Sequence, residues 1–229
     1  MSGLHRFIEH ISANKTRDWL FIVPSLILLC LLGLPLLALI QRALNTGFLL
    51  HALSPSALEA LRLSLVTSLL TVAVTVALGT PLAYVLARWQ FPLKSWVGTL
   101  IDLPIILPPS VAGLALLIAF GRRGLFGAAL SGLGVQLPFT TAAVVIAQLF
   151  VSAPLYVRAA RIGFNEIDVQ LEEAAHVEGA DQWQLFREVM FPLAGRSLVS
   201  GAILTWTRAL GEFGATIMFA GNLEGVTQT

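Results

Sequence analysis

Five stretches of this 229-residue chain are long and apolar enough to cross a hydrocarbon core of about 30 Å, which takes roughly 20 helical residues at about 1.5 Å each. They run from about Trp19 to Ile40, Leu61 to Ala87, Val97 to Phe120, Phe139 to Val157 and Leu198 to Ala220. The expected fold class is all-α, a polytopic helical membrane protein. Composition agrees, since 56% of the residues are hydrophobic and only 12% are charged, outside the range of soluble domains. The first run follows Lys15, Arg17 and Asp18 and ends without a small-residue cleavage site, so it reads as a retained span and not as a removable signal peptide.

The 14 basic residues are spread along the chain, most of them between the apolar runs and Arg208 within the last, and are not gathered on one surface, so a nucleic-acid partner is not expected. Their positions predict orientation. With a cytoplasmic N-terminus, inner segments carry Arg6, Lys15, Arg17, Arg88, Lys94, Arg158, Arg161, Arg187 and Arg196, while outer ends carry Arg42, Arg62, Arg122 and Arg123. Nine against four fits the excess of lysine and arginine on cytoplasmic segments. The lone Cys30 lies in the first run and reads as a small apolar residue. His5, His10, His51 and His176 are scattered, so neither a metal site nor a catalytic constellation is expected, and no cofactor. No G-x-x-x-x-G-K-[ST] phosphate loop occurs, so ATP hydrolysis is not expected on this chain. Without a tandem repeat, residues 1–229 read as a single membrane domain.

Only the connector 158–197 is both long and strongly charged. Asp168 is a suitable N-cap for a short helix whose early Glu172 and Glu173 suit the positive end of the helix dipole. Gly179 can close that helix, Asp181 with Gln184 forms a capping-box pattern for a second one, and Pro192 marks the expected end. Trp183, Phe186, Val189 and Met190 recur at helical spacing and are expected to pack beneath the bundle. Ala174 and Ala175 leave the first helix open to close approach by another protein, although two ordinary surface helices would show the same spacing.

Other polar or helix-disturbing residues fall inside or beside the spans. Pro104, Pro108 and Pro109 interrupt the third run, giving either a kinked, pathway-lining helix or a structural kink. Arg122 and Arg123 are candidates for attracting an oxyanion or a binding protein, or are simply an exposed loop. Arg208 and Glu212, four residues apart, are expected on one face of the last span as a structural or gate-lining ion pair. Gly211 and Gly214 would let another helix approach, with a second copy as the expected source.

The residues Glu173, Ala174, Ala175 and Gly179, followed by Val189, Met190, Phe191 and Pro192, resemble the EAA loop of ABC importer permeases, with phenylalanine for the usual leucine before proline and valine for the usual isoleucine. The resemblance implies the type I permease fold and a cytoplasmic coupling helix within 158–197, with Glu173, Ala174, Ala175, Gly179, Asp181 and Pro192 carrying contact with the motor. It further implies two copies of a separate ATPase subunit, a second permease copy forming a homodimer, an extracytoplasmic substrate-binding protein, and the plasma membrane of a prokaryote as location. LPIILPPSVAGLALLIAFGRRGLFG, residues 103–127, and RALGEFGATIMF, residues 208–219, look like parts of molybdate permeases, with sulfate and tungstate permeases as close alternatives. The run 19–40 looks like the additional N-terminal span of some members. Relatives continue past the point matching Thr229 into a further span, so a sixth crossing is expected to be missing here.

Overall fold

A computed structural model describes residues 2–45, 54–223 and 225–229, with side chains from residue 19 onward except that of residue 45. His51 and the side chains of His5, Arg6, His10, Lys15, Arg17 and Asp18 therefore lie outside the described residues. Among the described residues the secondary structure is entirely helical. That follows from the solvent, because a lipid core offers the backbone no hydrogen-bond partners and a helix satisfies its own N–H and C=O groups.

Two units are distinguishable, Met1–Ala57 and Leu58–Thr229. The first is built on α1 (Ser2–Asn45), whose apolar portion, Trp19–Leu44, is 26 residues and so about 39 Å long at about 1.5 Å per residue, enough to cross a bilayer.

The second unit contains nearly all of α2 (Pro55–Arg88), then α3 (Lys94–Ile106), α4 (Pro109–Phe120), the short α5 (Gly127–Gly132) and α6 (Thr141–Asn165). After these come α7 (Val169–Val177), α8 (Gln182–Leu193), α9 (Gly195–Leu210) and α10 (Gly214–Phe219). Only α2 and α6 are single helices of spanning length in this unit. The continuous third span expected over 97–120 is instead a pair, α3 and α4, bent by 119° at Leu107 and Pro108. At 13 and 12 residues they measure about 20 and 18 Å, so neither crosses alone. Two consecutive prolines are the cause: Pro108 holds an extended ψ of 139° and Pro109 begins a new helix, where its missing N–H costs nothing. The last expected span, 198–220, is likewise broken, with α9 ending at Leu210 and α10 starting at Gly214. α6 corrects a third boundary, since it continues through Arg158 and Arg161 to Asn165 and the connector begins in helix.

A polar seam joins the long elements. Thr67, Ser68 and Thr71 lie on one face of α2 and are buried. The Thr71 hydroxyl donates to Gln148 Oε1 of α6 at 2.9 Å, and Gln148 Nε2 donates to Thr67 Oγ1 at 3.3 Å. Trp206 Nε1 of α9 donates to Ser68 Oγ at 3.2 Å, and the Thr205 hydroxyl donates to the Ser152 carbonyl at 3.4 Å. In a bilayer, lipid tails are as apolar as leucine, so packing and such interhelical hydrogen bonds, worth about 0.6 kcal/mol each on average, hold helices together.

Apolar cores lie on either side of the seam. One gathers Leu86, Tyr156, Val157, Phe164, Leu185 and Met190 from α2, α6 and α8. The other gathers Ala112, Leu116, Val144, Ala147, Ala215 and Phe219 from α4, α6 and α10. The chain after α10 folds back on the second end, where the Thr141 hydroxyl donates to the Val226 carbonyl at 3.0 Å.

Candidate functional site

The charged elbow after α6 forms from local signals. Asp168 caps α7, its carboxylate accepting the Gln170 N–H at 3.0 Å. At the other end Ala180 N–H donates to the Ala175 carbonyl and Gly179 N–H to that of His176, both at 3.0 Å. This double closure requires a left-handed residue, and Gly179 supplies it with φ +88° and no Cβ penalty. α8 then opens on a capping box: Asp181 accepts from Gln184 N–H at 2.8 Å, and the Gln184 side chain accepts from Asp181 N–H at 2.9 Å.

α8 does not end at Pro192 but runs one residue further, to Leu193. The six residues Leu185–Met190, separated from Pro192 by Phe191, form a π-helical stretch. A wider turn relieves the clash that a proline ring makes with the carbonyl four residues earlier, so the helix passes through Pro192 and then bends by 70° into α9. Leu185 and Met190 face the core, and Phe186 sits beside Tyr84 with ring centroids 5.1 Å apart. Trp183 departs from expectation: it stacks on Phe186 but remains 64% exposed.

α7 itself buries no residue. Glu173, Ala174, Val177 and Gly179 are exposed, and Ala175 is half-buried against the core below. The helix is fastened near its start by a residue that sequence reasoning counted only for orientation. Arg88, the last residue of α2, places Nε 2.7 Å from Glu172 Oε1, an ionic contact and not an aligned hydrogen bond. Its Nη2 donates to the Ile167 carbonyl at 2.7 Å. The two side chains are only 13% and 17% exposed. An arginine closing an apolar run was the one visible signal, and it does not name its partner.

At the other core, Arg208 Nη1 lies 2.6 Å from Glu212 Oε2, but the two do not share a helix as expected. Glu212 sits in the break between α9 and α10, and its other oxygen accepts the Ala215 N–H at 2.6 Å. One buried carboxylate thus pairs with Arg208 in the last turn of α9 and satisfies a free donor at the start of α10. The break also brings in the proline pair: a Cβ on Gly214 would lie 2.6 Å from Pro109 Cβ, so the space expected for a second copy is taken by this chain's own α4. Gly211 has no such neighbour. Pro104 is buried within α3, whereas Pro108 and Pro109 are exposed.

The candidates at the α4–α5 turn separate. Both arginines are exposed; Arg122 Nη2 donates to Gln136 Oε1 at 2.8 Å and so ties the turn to the segment after α5. At the elbow end Arg158 pairs with Asp102 at 2.6 Å, tying α6 to α3. No cluster of three potential metal ligands occurs among the described residues.

Comparison with known proteins fits this arrangement. Residues 79–228 match the family described as "Binding-protein-dependent transport system inner membrane component". The chain is 38% identical over 224 residues to the probable transport system permease protein NifC of Clostridium pasteurianum, covering 97% of this chain and 77% of that protein. It is 40% identical over 211 residues to the molybdenum transport system permease protein ModB of Mycobacterium tuberculosis, covering 92% and 80%. A crystal structure of a bacterial ABC transporter involved in the import of the acidic polysaccharide alginate shares the fold, with a TM-score of 0.69 at 17% identity over 88% of this chain and 77% of that one. The chain belongs to the family of binding-protein-dependent transport system inner membrane components, the multi-pass permease subunits of ABC importers.

Proposed function

We propose that this permease carries molybdate, that its N-terminus is cytoplasmic, and that α7 is the helix on which a separate ATPase subunit docks. The observation that carries the docking reading is the construction of α7: capped at both ends, anchored by a largely shielded ion pair at Glu172, and presenting Glu173 and Ala174 outward from a helix with no fully buried residue. An isolated nine-residue helix is unstable in water, so so much local fixation points to a surface that must keep its shape under load. Two permease copies would enclose the pathway, two ATPase subunits would grip the two α7 helices, and a binding protein would deliver the oxyanion from the far side.

Molybdate is favoured by the 40% identity to a permease named for molybdenum transport. Tungstate and sulfate are tetrahedral dianions too, and discrimination among them falls to the binding protein in this reading. Pro109, Arg208 and Glu212 are candidates for the gate, because the α4–α10 contact and the helix break meet at these residues. Arg123 is the freer of the two loop arginines to meet a binding protein or an anion.

Uptake of radiolabelled molybdate into vesicles holding the permease, its ATPase and its binding protein tests this. The expected result is uptake that requires enclosed ATP and is displaced by unlabelled molybdate at lower concentration than by sulfate. Uptake by the permease alone on an ion gradient would refute it.

A further inference from the structure

We propose that Arg88 is the strut through which displacement of α7 is passed to α2. The inference rests on the docking reading of α7 and adds a route for the force. α7 offers the bundle little else to pull on, as Ala175 is its half-buried apolar contact with the core beneath. A push on such a helix would be absorbed by local rearrangement unless a stiff link tied it to a spanning element. Arg88 has the properties of that link. Its guanidinium touches two points on either side of the Asp168 cap, the Ile167 carbonyl before α7 and Glu172 in its first turn, each at 2.7 Å. A planar guanidinium engaging two acceptors resists both translation and rotation, and charge-assisted contacts shielded from water are the strong ones.

The link also has somewhere to lead. Arg88 ends a 34-residue helix whose buried hydroxyls bond to Gln148 of α6 and Trp206 of α9. A shift of α7 held by Arg88 must therefore move α2, and with it the polar seam that joins the long helices. The opposite end of α7, by contrast, is fastened through its own backbone closure at Gly179.

The complete transporter in vesicles, with ATPase and binding protein, distinguishes a strut from a simple stabilising contact. The readouts are ATPase retained on purification, ATP hydrolysed, oxyanion taken up per ATP, and melting temperature. Arg88→Ala, Arg88→Lys and Glu172→Gln are compared with the exchanged pair Arg88→Glu/Glu172→Arg. In Arg88→Ala the ATPase remains bound and active while uptake per ATP falls about tenfold, within the usual range of coupling between sites. Arg88→Lys keeps the charge but loses the two-point grip and falls in between, as does Glu172→Gln, which preserves shape. The exchanged pair regains part of the loss.

Uptake per ATP within about twofold of the starting protein in both Arg88→Ala and Glu172→Gln would overturn the strut, since that is below the coupling expected of linked sites. So would losses of uptake, retained ATPase and melting temperature in step, which is the mark of a merely structural contact. Failure of the unaltered permease to retain its ATPase would instead overturn the docking reading on which the strut depends.

Discussion

Arg208→Ala should destabilise the detergent-purified protein by about 3 kcal/mol, the low end of the cost of leaving a buried charge without its partner. The Glu212 side chain is 1% exposed, whereas that of Arg208 is 32% exposed, which is why the lower figure applies. The carboxylate would keep the Ala215 N–H but lose its paired cation. Adding Glu212→Gln should recover much of the loss, because a neutral amide oxygen can still accept the Ala215 N–H and no unpaired charge remains. A melting temperature for the double variant as low as that of Arg208→Ala would show that the arginine acts by packing and not by neutralising Glu212.

Gly113→Leu should be about as damaging, at roughly 3 kcal/mol, the upper end of the cost of forcing extra atoms into a filled interior. A Cβ on Gly113 would lie 2.6 Å from the Ala215 carbonyl oxygen and 2.7 Å from Met218 Cβ. The obstacle is partly backbone, so α4 and α10 must separate, and the second core, which includes Ala112, Ala215 and Phe219, opens with them. Even Gly113→Ala should lower the melting temperature measurably. Gly132→Ala is the control: a Cβ there meets nothing within 4 Å, and no loss is expected. Equal melting temperatures for Gly113→Leu and the starting protein would refute the close approach of α4 and α10.

These two sites show where sequence and structure part. The elbow was legible residue by residue because its signals are local: Asp168, Gly179, Asp181 and Gln184 each act on backbone groups within a few positions. Apolar length was legible for α1, α2 and α6 for the same reason. Proline was not. Pro81 and Pro154 lie inside unbroken helices, Pro192 is accommodated by a π stretch, and Pro108 with Pro109 turns the chain by 119°. The residue type is identical, and Pro108 stands apart because the proline after it disfavours the helical conformation, whereas Pro81 and Pro154 are each followed by residues that continue the helix.

Pairings distant in sequence were also invisible. Arg88 could be counted toward orientation, but its grip on Glu172 and Ile167 exists only once α2, α6 and α7 are assembled. The Arg208–Glu212 pair was legible as a pair, yet the helix break between its members, which gives Glu212 its second role as a cap, was not.

If α7 is the face on which an ATPase docks, cysteine cross-linking reads that contact directly. Cys30 is the only native cysteine, so a Cys30→Ser background lets single cysteines be placed at Ala174 on α7 and at Arg123 at the α4–α5 turn. With the ATPase subunit present and a short bifunctional reagent, Ala174→Cys should form a cross-linked species whose yield changes on adding ATP, and Arg123→Cys should form none. Cross-linking at Arg123→Cys with none at Ala174→Cys would mean that the ATPase does not dock on α7.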